Sequence, residues 1–232
     1  MTMRFLAIAI FLISGSLLAS VDPKATTVSL EQGGKGWELV DQGNEMVLYE
    51  REVPGSDVIA FKGEGLLDAP IARVASVILD NEHAHEWVDS LEESKIVRRI
   101  SPMEYVEYNH IGTPFVMKDR DFVSRVKMEI DPAARTLSLV YQSADDPAAP
   151  KTDNIRGELK HCRFLLRSLD GGKRTSLLAE VHADPRGSVP KWIVNMFQRA
   201  WPKDTFKGIK KQLEKRGEVP TAFADVIAKL NF

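Results

Sequence analysis

The alternation of apolar and polar positions predicts a chain built mainly from β-strands. Runs rich in β-branched and aromatic residues recur along the sequence, and clusters of Gly, Pro, Asp and Ser separate them. The predicted strands are 46–52, 57–66, 94–100, 105–111, 120–130, 136–143, 155–169 and 175–184. Asp170-Gly171-Gly172-Lys173 joins the last two as a hairpin, because glycine accepts the positive φ that such turns need.

Two stretches have the spacing of helices instead. Pro70 suits a first helical position, and apolar residues at helical spacing follow it as far as Leu79. A longer helix begins at Pro190, and its apolar stripe resumes beyond Pro202, which should kink or split it because proline lacks the N–H that a helix needs. Strands, one short helical insertion, further strands and a long final helix predict an α+β fold and not alternating βαβ units.

The first twenty residues have the layout of a secretory signal peptide. Arg4 precedes an apolar run over 5–13, and small residues end the segment at Ala19 and Ser20. The run is too short for a transmembrane helix, which needs about 20 apolar residues. We expect 1–20 to be removed and the protein to be exported, to the periplasm of a bacterium and otherwise as a secreted protein. A short uncleaved anchor is the alternative.

Composition narrows the class of protein further. The 232 residues carry a formal net charge of −2, whereas a nucleic-acid-binding protein normally presents a concentrated basic surface. Cys162 is the only cysteine, so no intramolecular disulfide can form. No linker or repeat divides the middle of the chain. We therefore expect a monomer with one domain over 21–218, followed by a short helix or tail over 219–232.

Four segments in order resemble landmarks of the START domain, a lipid-transfer module. They are Tyr49-Glu50-Arg51-Glu52-Val53-Pro54-Gly55-Ser56, Leu79-Asp80 with Trp87, Lys118-Asp119-Arg120-Asp121-Phe122-Val123, and Asp184-Pro185 through Val189-Pro190-Lys191-Trp192-Ile193-Val194-Asn195. The resemblance implies a helix-grip fold, in which a curved antiparallel sheet wraps around a long C-terminal helix with a ligand cavity between them. It also implies binding of a sterol, a phospholipid or another hydrophobic molecule. Arg186-Gly187-Ser188 departs from the Gly-rich turn of many members.

Strand alternation points to a polar anchor inside that cavity. In the strand 120–130 the even positions, including Phe122, are mostly apolar, which turns Arg120 inward with them. A hairpin across the connection from Gly112 to Met117 would set Asn109 near Arg120 and Glu107 diagonally from it. Glu107 and Arg120 are therefore the leading candidates for a paired polar anchor.

The resemblance supports this assignment only in part. Sterol-binding members carry an acidic residue where Glu107 falls, but their usual arginine partner falls on Val126 here. A buried charge needs a partner, because an unpaired one costs several kcal/mol. The alternative is that Arg120 holds the strand end through backbone carbonyls and a nearby carboxylate, and never meets a ligand.

Further side chains are candidates for the cavity lining. They are Tyr105, Tyr141, Met196 and Phe197. The plainer alternative is that the two tyrosines pack in the core and that Met196 and Phe197 pack between the final helix and the sheet. Lysines recur along one flank of the final helix, at Lys203, Lys207, Lys210, Lys211 and Lys215. They form either a solvated face or a transient contact with anionic lipid head groups, worth about 1 kcal/mol per basic residue.

The sequence has little that indicates catalysis. It lacks a nucleophile elbow, a phosphate-binding loop and a dinucleotide fingerprint. His83-Ala84-His85 lacks metal-ligand spacing, since side chains two apart on a helix point in different directions. We expect no cofactor and no metal. The leading hypothesis is a non-catalytic carrier or sensor of a lipid, and the alternative is a polyketide cyclase-like enzyme that uses Glu107 or a histidine as acid or base.

Overall fold

A computed structural model describes residues 34–43, 45–113, 117–215, 217 and 222–232. Within them, the strands are β1 Glu38–Gln42, β2 Met46–Arg51, β3 Ala60–Leu67, β4 Leu91–Ser101, β5 Glu104–Ile111, β6 Arg120–Asp131, β7 Thr136–Ser143, β8 Ile155–Arg156, β9 Glu158–Leu169 and β10 Arg174–Asp184. The helices are α1 Ile71–Ile78, α2 Lys191–Lys215 and α3 Ala224–Ile227. A 3₁₀ turn spans Asn81–Glu86. The predicted signal peptide 1–20 lies outside the described residues.

The strands form one curved sheet in the order β1-β2-β3-β10-β9-β7-β6-β5-β4, antiparallel throughout this path. The short β8 pairs with β6 in parallel, off the main path. The sheet and the long helix α2 confirm the predicted α+β helix-grip fold. The alternation analysis missed β1, a mostly exposed edge strand that lacks a buried face.

One predicted strand is interrupted for a visible reason. The run 155–169 divides into β8 and β9 at Gly157. A Cβ atom at Gly157 would collide with the ring of Phe122, so glycine lets the chain pass close to this side chain. The break frees β8 to pair with the beginning of β6.

Helix α2 lies close against β3. Cβ atoms placed on Gly63 and Gly65 would lie 2.7 Å from the ring of Pro202 and 2.5 Å from the ring of Phe206, so only glycine permits this approach. Of the predicted kink or split at Pro202, the split does not occur, since α2 runs through this residue from Lys191 to Lys215. Proline still removes one backbone hydrogen bond, but its ring is buried against Gly63 and the helix continues.

The inner face of the sheet has two halves of different character. At the closed end, a compact core packs around α1 and α3; its sheet residues include Tyr105, Val126, Leu139, Leu166 and Leu177. At the open end, the same strands line a cavity under the first half of α2. The strands therefore run from packed side chains into the wall of a cavity. Within the described residues, no helix is both long and apolar enough to cross a membrane.

Candidate functional site: a cavity with one polar cluster

The cavity at the open end has a volume of about 400 Å³. Its wall is mostly apolar and includes Ile111, Phe164, Val181 and Trp201. The volume lies toward the lower end of the roughly 300–1,000 Å³ that is usual for small-molecule sites. The space therefore suits one compact hydrophobic ligand.

A group of polar side chains interrupts the apolar wall. This inner polar cluster consists of Asn81, Ser94, Glu107, Asn109 and Ser124, all of which line the cavity. Asn109 Nδ2 donates to Glu107 Oε1 over 2.7 Å, and Asn81 Nδ2 donates to Glu107 Oε2 over 3.1 Å. Asn81 Nδ2 also lies 2.9 Å from Ser94 Oγ. The cluster thus surrounds the Glu107 carboxyl with amides and hydroxyls.

Glu107 has no cation to balance a negative charge. The residue is only 5% exposed, and in the described part of the chain no basic side chain lies within ion-pair distance of its carboxyl. Burial raises the pKa of Glu107 from 4.5 to about 7, while the hydrogen bonds from Asn81 and Asn109 act in the opposite direction. Near neutral pH the cavity therefore contains a carboxyl group that is poised between its two protonation states.

Two atoms of the cluster lack a partner among the described residues. Asn81 Oδ1 and Ser124 Oγ are buried, and neither atom forms a hydrogen bond with a described residue. Ser124 pairs directly with Glu107 across β5 and β6, so its hydroxyl belongs to the same wall. A buried polar atom without a partner costs about 1–3 kcal/mol. A ligand group that bonds to these atoms would recover part of that free energy.

The predicted pairing of Asn109 with Arg120 is wrong. Arg120 lies opposite Ile111, Asn109 lies opposite Phe122, and Glu107 lies opposite Ser124. The partners are shifted by two residues, because β6 begins at Arg120 and β5 continues to Ile111 before the connection starts. A shift of two keeps each side chain on its face of the sheet but places Arg120 opposite Ile111, farther along β5 from Glu107 than predicted.

Arg120 makes its hydrogen bonds with the backbone. Its guanidinium donates to the carbonyl oxygen of Lys118 and, over 3.4 Å each, to those of Pro185 and Arg186. It borders the cavity, but it forms no ion pair with Glu107. The structure therefore favours the structural role of Arg120, tying the β6 end to the segment that precedes α2.

The remaining candidates divide between the wall and its surroundings. Phe122, Tyr141 and Phe197 line the cavity. Of the two alternatives for Tyr105, the structure has the core one: the residue lies behind the wall in the closed-end core, where its hydroxyl is hydrogen-bonded to that of Tyr141. Met196 is 53% exposed and faces away from the cavity. It directly precedes the wall residue Phe197, and consecutive side chains of a helix point about 100° apart around its axis. Among the described residues, no cluster of ligating side chains is placed to hold a metal ion.

Sequence reasoning missed Asn81, Ser94 and Ser124. Ser124 carried a usable signal, because it occupies an even, inward position of β6 between Phe122 and Val126. Ser94 lies on the irregular strand β4, and Asn81 lies in a 3₁₀ turn, where no two-residue alternation reports orientation. Their approach to Glu107 depends on tertiary packing.

The comparisons with known proteins agree on one family. A START domain model matches residues 26–218. Phosphatidylcholine transfer protein from Bos taurus is 26% identical over 70% of this chain and 76% of its own length. Uncharacterized protein PA1579 from Pseudomonas aeruginosa is 24% identical over 92% of this chain and 97% of its own length.

Solved structures show the same fold. Human StAR-related lipid transfer protein 5 superposes with a TM-score of 0.72 at 19% identity, covering 80% of this chain and 89% of the human chain. A STAR-related lipid transfer protein from Xanthomonas axonopodis superposes with a TM-score of 0.67 at 22% identity, covering 77% and 99% of the two chains.

Proposed function

The chain belongs to the START domain family, and we propose that it encloses one lipid in the cavity under α2 and carries or senses it without altering it chemically. The observation that carries this proposal is the mostly apolar cavity whose wall contains the inner polar cluster around Glu107. Apolar surface drives binding by leaving water, and a few fixed polar groups orient the ligand. The family match and the named relatives favour lipid transfer over the cyclase alternative.

The polar cluster suggests which head group the cavity takes. Asn81 Oδ1 can accept a hydrogen bond, and Ser124 Oγ can donate or accept one. A phosphodiester placed beside Glu107 would be a buried negative charge at a cluster where no basic side chain of the described residues lies within ion-pair distance of the carboxyl, which costs several kcal/mol. An uncharged hydroxyl or amide group instead satisfies both atoms. We therefore place an uncharged, hydrogen-bonding lipid head group at this cluster.

The first turns of α2 offer a surface for membrane contact. Trp192 and Met196 are 69% and 53% exposed, next to Phe197, which is half exposed and borders the cavity. A tryptophan with adjacent large apolar residues suits the boundary between lipid head groups and acyl chains. We propose that these three side chains enter that boundary while a lipid passes the mouth.

The lysines on the same helix are not equivalent. Lys210 forms an ion pair with Glu45 at 2.5 Å, and Lys215 forms one with Glu86 at 2.8 Å. Lys203, Lys207 and Lys211 are exposed. We propose that these exposed lysines add electrostatic attraction to an anionic membrane, while the two paired ones chiefly hold α2 to its neighbours.

Export remains part of the proposal, on the strength of the sequence of 1–20. In cells that express the full chain, we expect a mature protein whose N-terminus lies near Ala19 or Ser20, released from the cytoplasm as a monomer. Edman sequencing of the fractionated protein and sedimentation equilibrium measure these two properties. A full-length N-terminus held in a membrane fraction would favour the uncleaved anchor.

Native mass spectrometry tests the lipid proposal. The protein is purified from its host, incubated with a total lipid extract that contains sterols, diacylglycerols, ceramides and phospholipids, and sprayed intact. We expect a complex with one uncharged, hydroxyl- or amide-bearing lipid. Recovery of no lipid after incubation would contradict the carrier proposal, and preferential recovery of phospholipids would contradict the assigned head group. Turnover of any ligand that Glu107→Gln abolishes would favour an enzyme.

A further inference from the structure

The closed end of the sheet is completed by a segment beyond the family match. The START domain model ends at residue 218, whereas the structure describes a C-terminal segment over 222–232 that contains α3. Phe223 and Val226 are fully buried in it, and Leu230 nearly so. All three belong to the same core cluster as α1 and the closed ends of the strands. The segment is therefore an integral part of this core.

The C-terminal segment crosses the closed end from the edge strand β4 to β9. Near its beginning, the Arg99 guanidinium of β4 donates to the Ala222 carbonyl oxygen and lies 4.4 Å from the centre of the Phe223 ring. At its last residue, the Ser168 hydroxyl of β9 donates to the Phe232 carbonyl oxygen over 2.9 Å. Strands β5, β6 and β7 lie between β4 and β9 in the sheet. The segment thus bridges five strands.

A short chain of contacts connects this segment to the cavity. Glu107 and Asn109 of β5 line the cavity, and Tyr105, two residues before Glu107 on the same face, lies just behind the wall. The Tyr105 ring stands 4.7 Å from the Phe223 ring, centre to centre. Tyr105 is also hydrogen-bonded to Tyr141, which is itself a wall residue. Phe223 consequently supports the wall beside the inner polar cluster.

We propose that the C-terminal segment fixes the inner end of the cavity and that Phe223, through Tyr105 and Tyr141, limits the size of the head group accepted at the inner polar cluster. This inference rests on the proposed function for its ligand. Phe223 is a positioning residue, since it does not touch the cavity itself. Removing its ring gives Tyr105 room to withdraw, and Tyr141 can then follow it away from the cluster.

The test compares two lipids that share one chain. The probes are 1-hexadecanol, with a single hydroxyl, and the palmitoyl monoester of glycerol, with a larger uncharged head. Their dissociation constants are measured by competition against a fluorescent lipid, on the full chain and on Phe223→Ala. The ratio of the two constants should move at least about tenfold toward the larger head in the variant, which is the scale of discrimination that one added group produces in a fitted pocket.

Two matched variants separate positioning from general loosening. Phe223→Leu keeps a buried apolar side chain but loses the ring, so it should fold even where Phe223→Ala fails and should move the ratio in the same direction by less. Leu230→Ala removes a buried side chain from the same segment without removing the Phe223–Tyr105 contact, and should leave the ratio unchanged. Folded Phe223 variants with the wild-type ratio, or an equal shift in Leu230→Ala, would overturn the inference.

A structural readout keeps the two proposals distinct. If the unmodified chain binds neither lipid, the carrier proposal fails, but xenon-pressurised crystals still report the inner end of the cavity. In Phe223→Ala, or in Phe223→Leu if the alanine variant does not fold, xenon should occupy a space that continues from the cavity past Tyr105. An unchanged inner end in these crystals would refute the role of Phe223 independently of any lipid.

Discussion

The closed and open ends of the sheet use the same strands for opposite purposes. Along β9, Leu166 is fully buried in a packed core, whereas Leu159 borders a cavity of about 400 Å³. At the closed end each apolar side chain gains contacts that stabilise the fold. At the open end the same kind of side chain has an incomplete set of protein neighbours. The difference indicates that stability is concentrated in one half of the domain, which leaves the other half free to enclose a ligand.

Leucine truncations in β9 test this division most strongly. Leu166→Ala should lower the free energy of unfolding by about 2–5 kcal/mol, because it opens a cavity in a packed core. Leu159→Ala should lower it by less than about 1.5 kcal/mol, because the residue is only half-buried and borders the cavity. Urea denaturation of the ligand-free proteins gives both values. Equal losses would show that the two ends are packed alike.

The pH dependence of stability tests the open end alone. The pKa of Glu107 rises from 4.5 to about 7 on folding, so its protonated form stabilises the native state. That stabilisation is fully present below pH 4.5 and is lost as the pH rises through 7, amounting to about 3 kcal/mol. The unfolding free energy of the wild type, relative to that of Glu107→Gln, should therefore fall between pH 4.5 and pH 8.

Comparing the wild type with Glu107→Gln cancels the contributions that other titrating groups make to the pH dependence of stability. His182, for example, has a pKa lowered chiefly by burial, so its contribution to stability changes in the opposite direction with pH, and it does so in both proteins. Glu93→Gln, at an exposed site, serves as the control and should keep the wild-type pH dependence. If the curves of the wild type and Glu107→Gln ran parallel, the Glu107 carboxyl would have to be exposed to solvent or balanced by a nearby positive charge, which would contradict this account.

The approach of α2 to the closed end gives a smaller expected effect. A Cβ at Gly65 would lie 2.5 Å from the Phe206 ring and 2.9 Å from the Glu45 carbonyl oxygen. Gly65→Ala should therefore lower the unfolding free energy by about 1–3 kcal/mol through overpacking. Gly43→Ala, whose nearest new contact is 3.5 Å away, is the matched control and should have little effect in thermal melts.

The exposed beginning of α2 should affect membrane contact without affecting stability. Trp192→Ser should change the unfolding free energy by less than about 0.5 kcal/mol, since the side chain is 69% exposed. Its partitioning onto vesicles of phosphatidylcholine with one fifth phosphatidylglycerol should fall roughly tenfold, as one large apolar side chain no longer inserts. Leu39→Ser, exposed on the edge strand β1, should leave partitioning unchanged in the same sedimentation assay.

The sequence was sufficient for the architecture because alternation reports the direction of each side chain. Glu107, Asn109 and Phe122 face inward as expected, and this orientation survives a register shift of two residues. Their partners did not follow from alternation. Strand pairing depends on where the β5–β6 connection begins, and that position placed Arg120 opposite Ile111, where it bonds to backbone carbonyls and not to Glu107.

The residues that form the inner polar cluster were harder to predict from the sequence, for another physical reason. Asn81 reaches Glu107 from a 3₁₀ turn 26 positions earlier in the chain, and only the packed fold brings the two together. The C-terminal segment is similar. A short helix or tail was expected over 219–232, but the contact of the Phe223 ring with Tyr105 depends on how the segment crosses the sheet.

A crystal structure of the lipid-loaded protein tests the central claim most directly. We predict one lipid molecule inside the open end, with an uncharged polar group within hydrogen-bond distance of Asn81 Oδ1 or Ser124 Oγ and its apolar body against Phe164 and Trp201. A cavity that stays empty after loading with the lipid extract would contradict the claim. So would a lipid that carries its head group elsewhere and leaves both atoms without a partner.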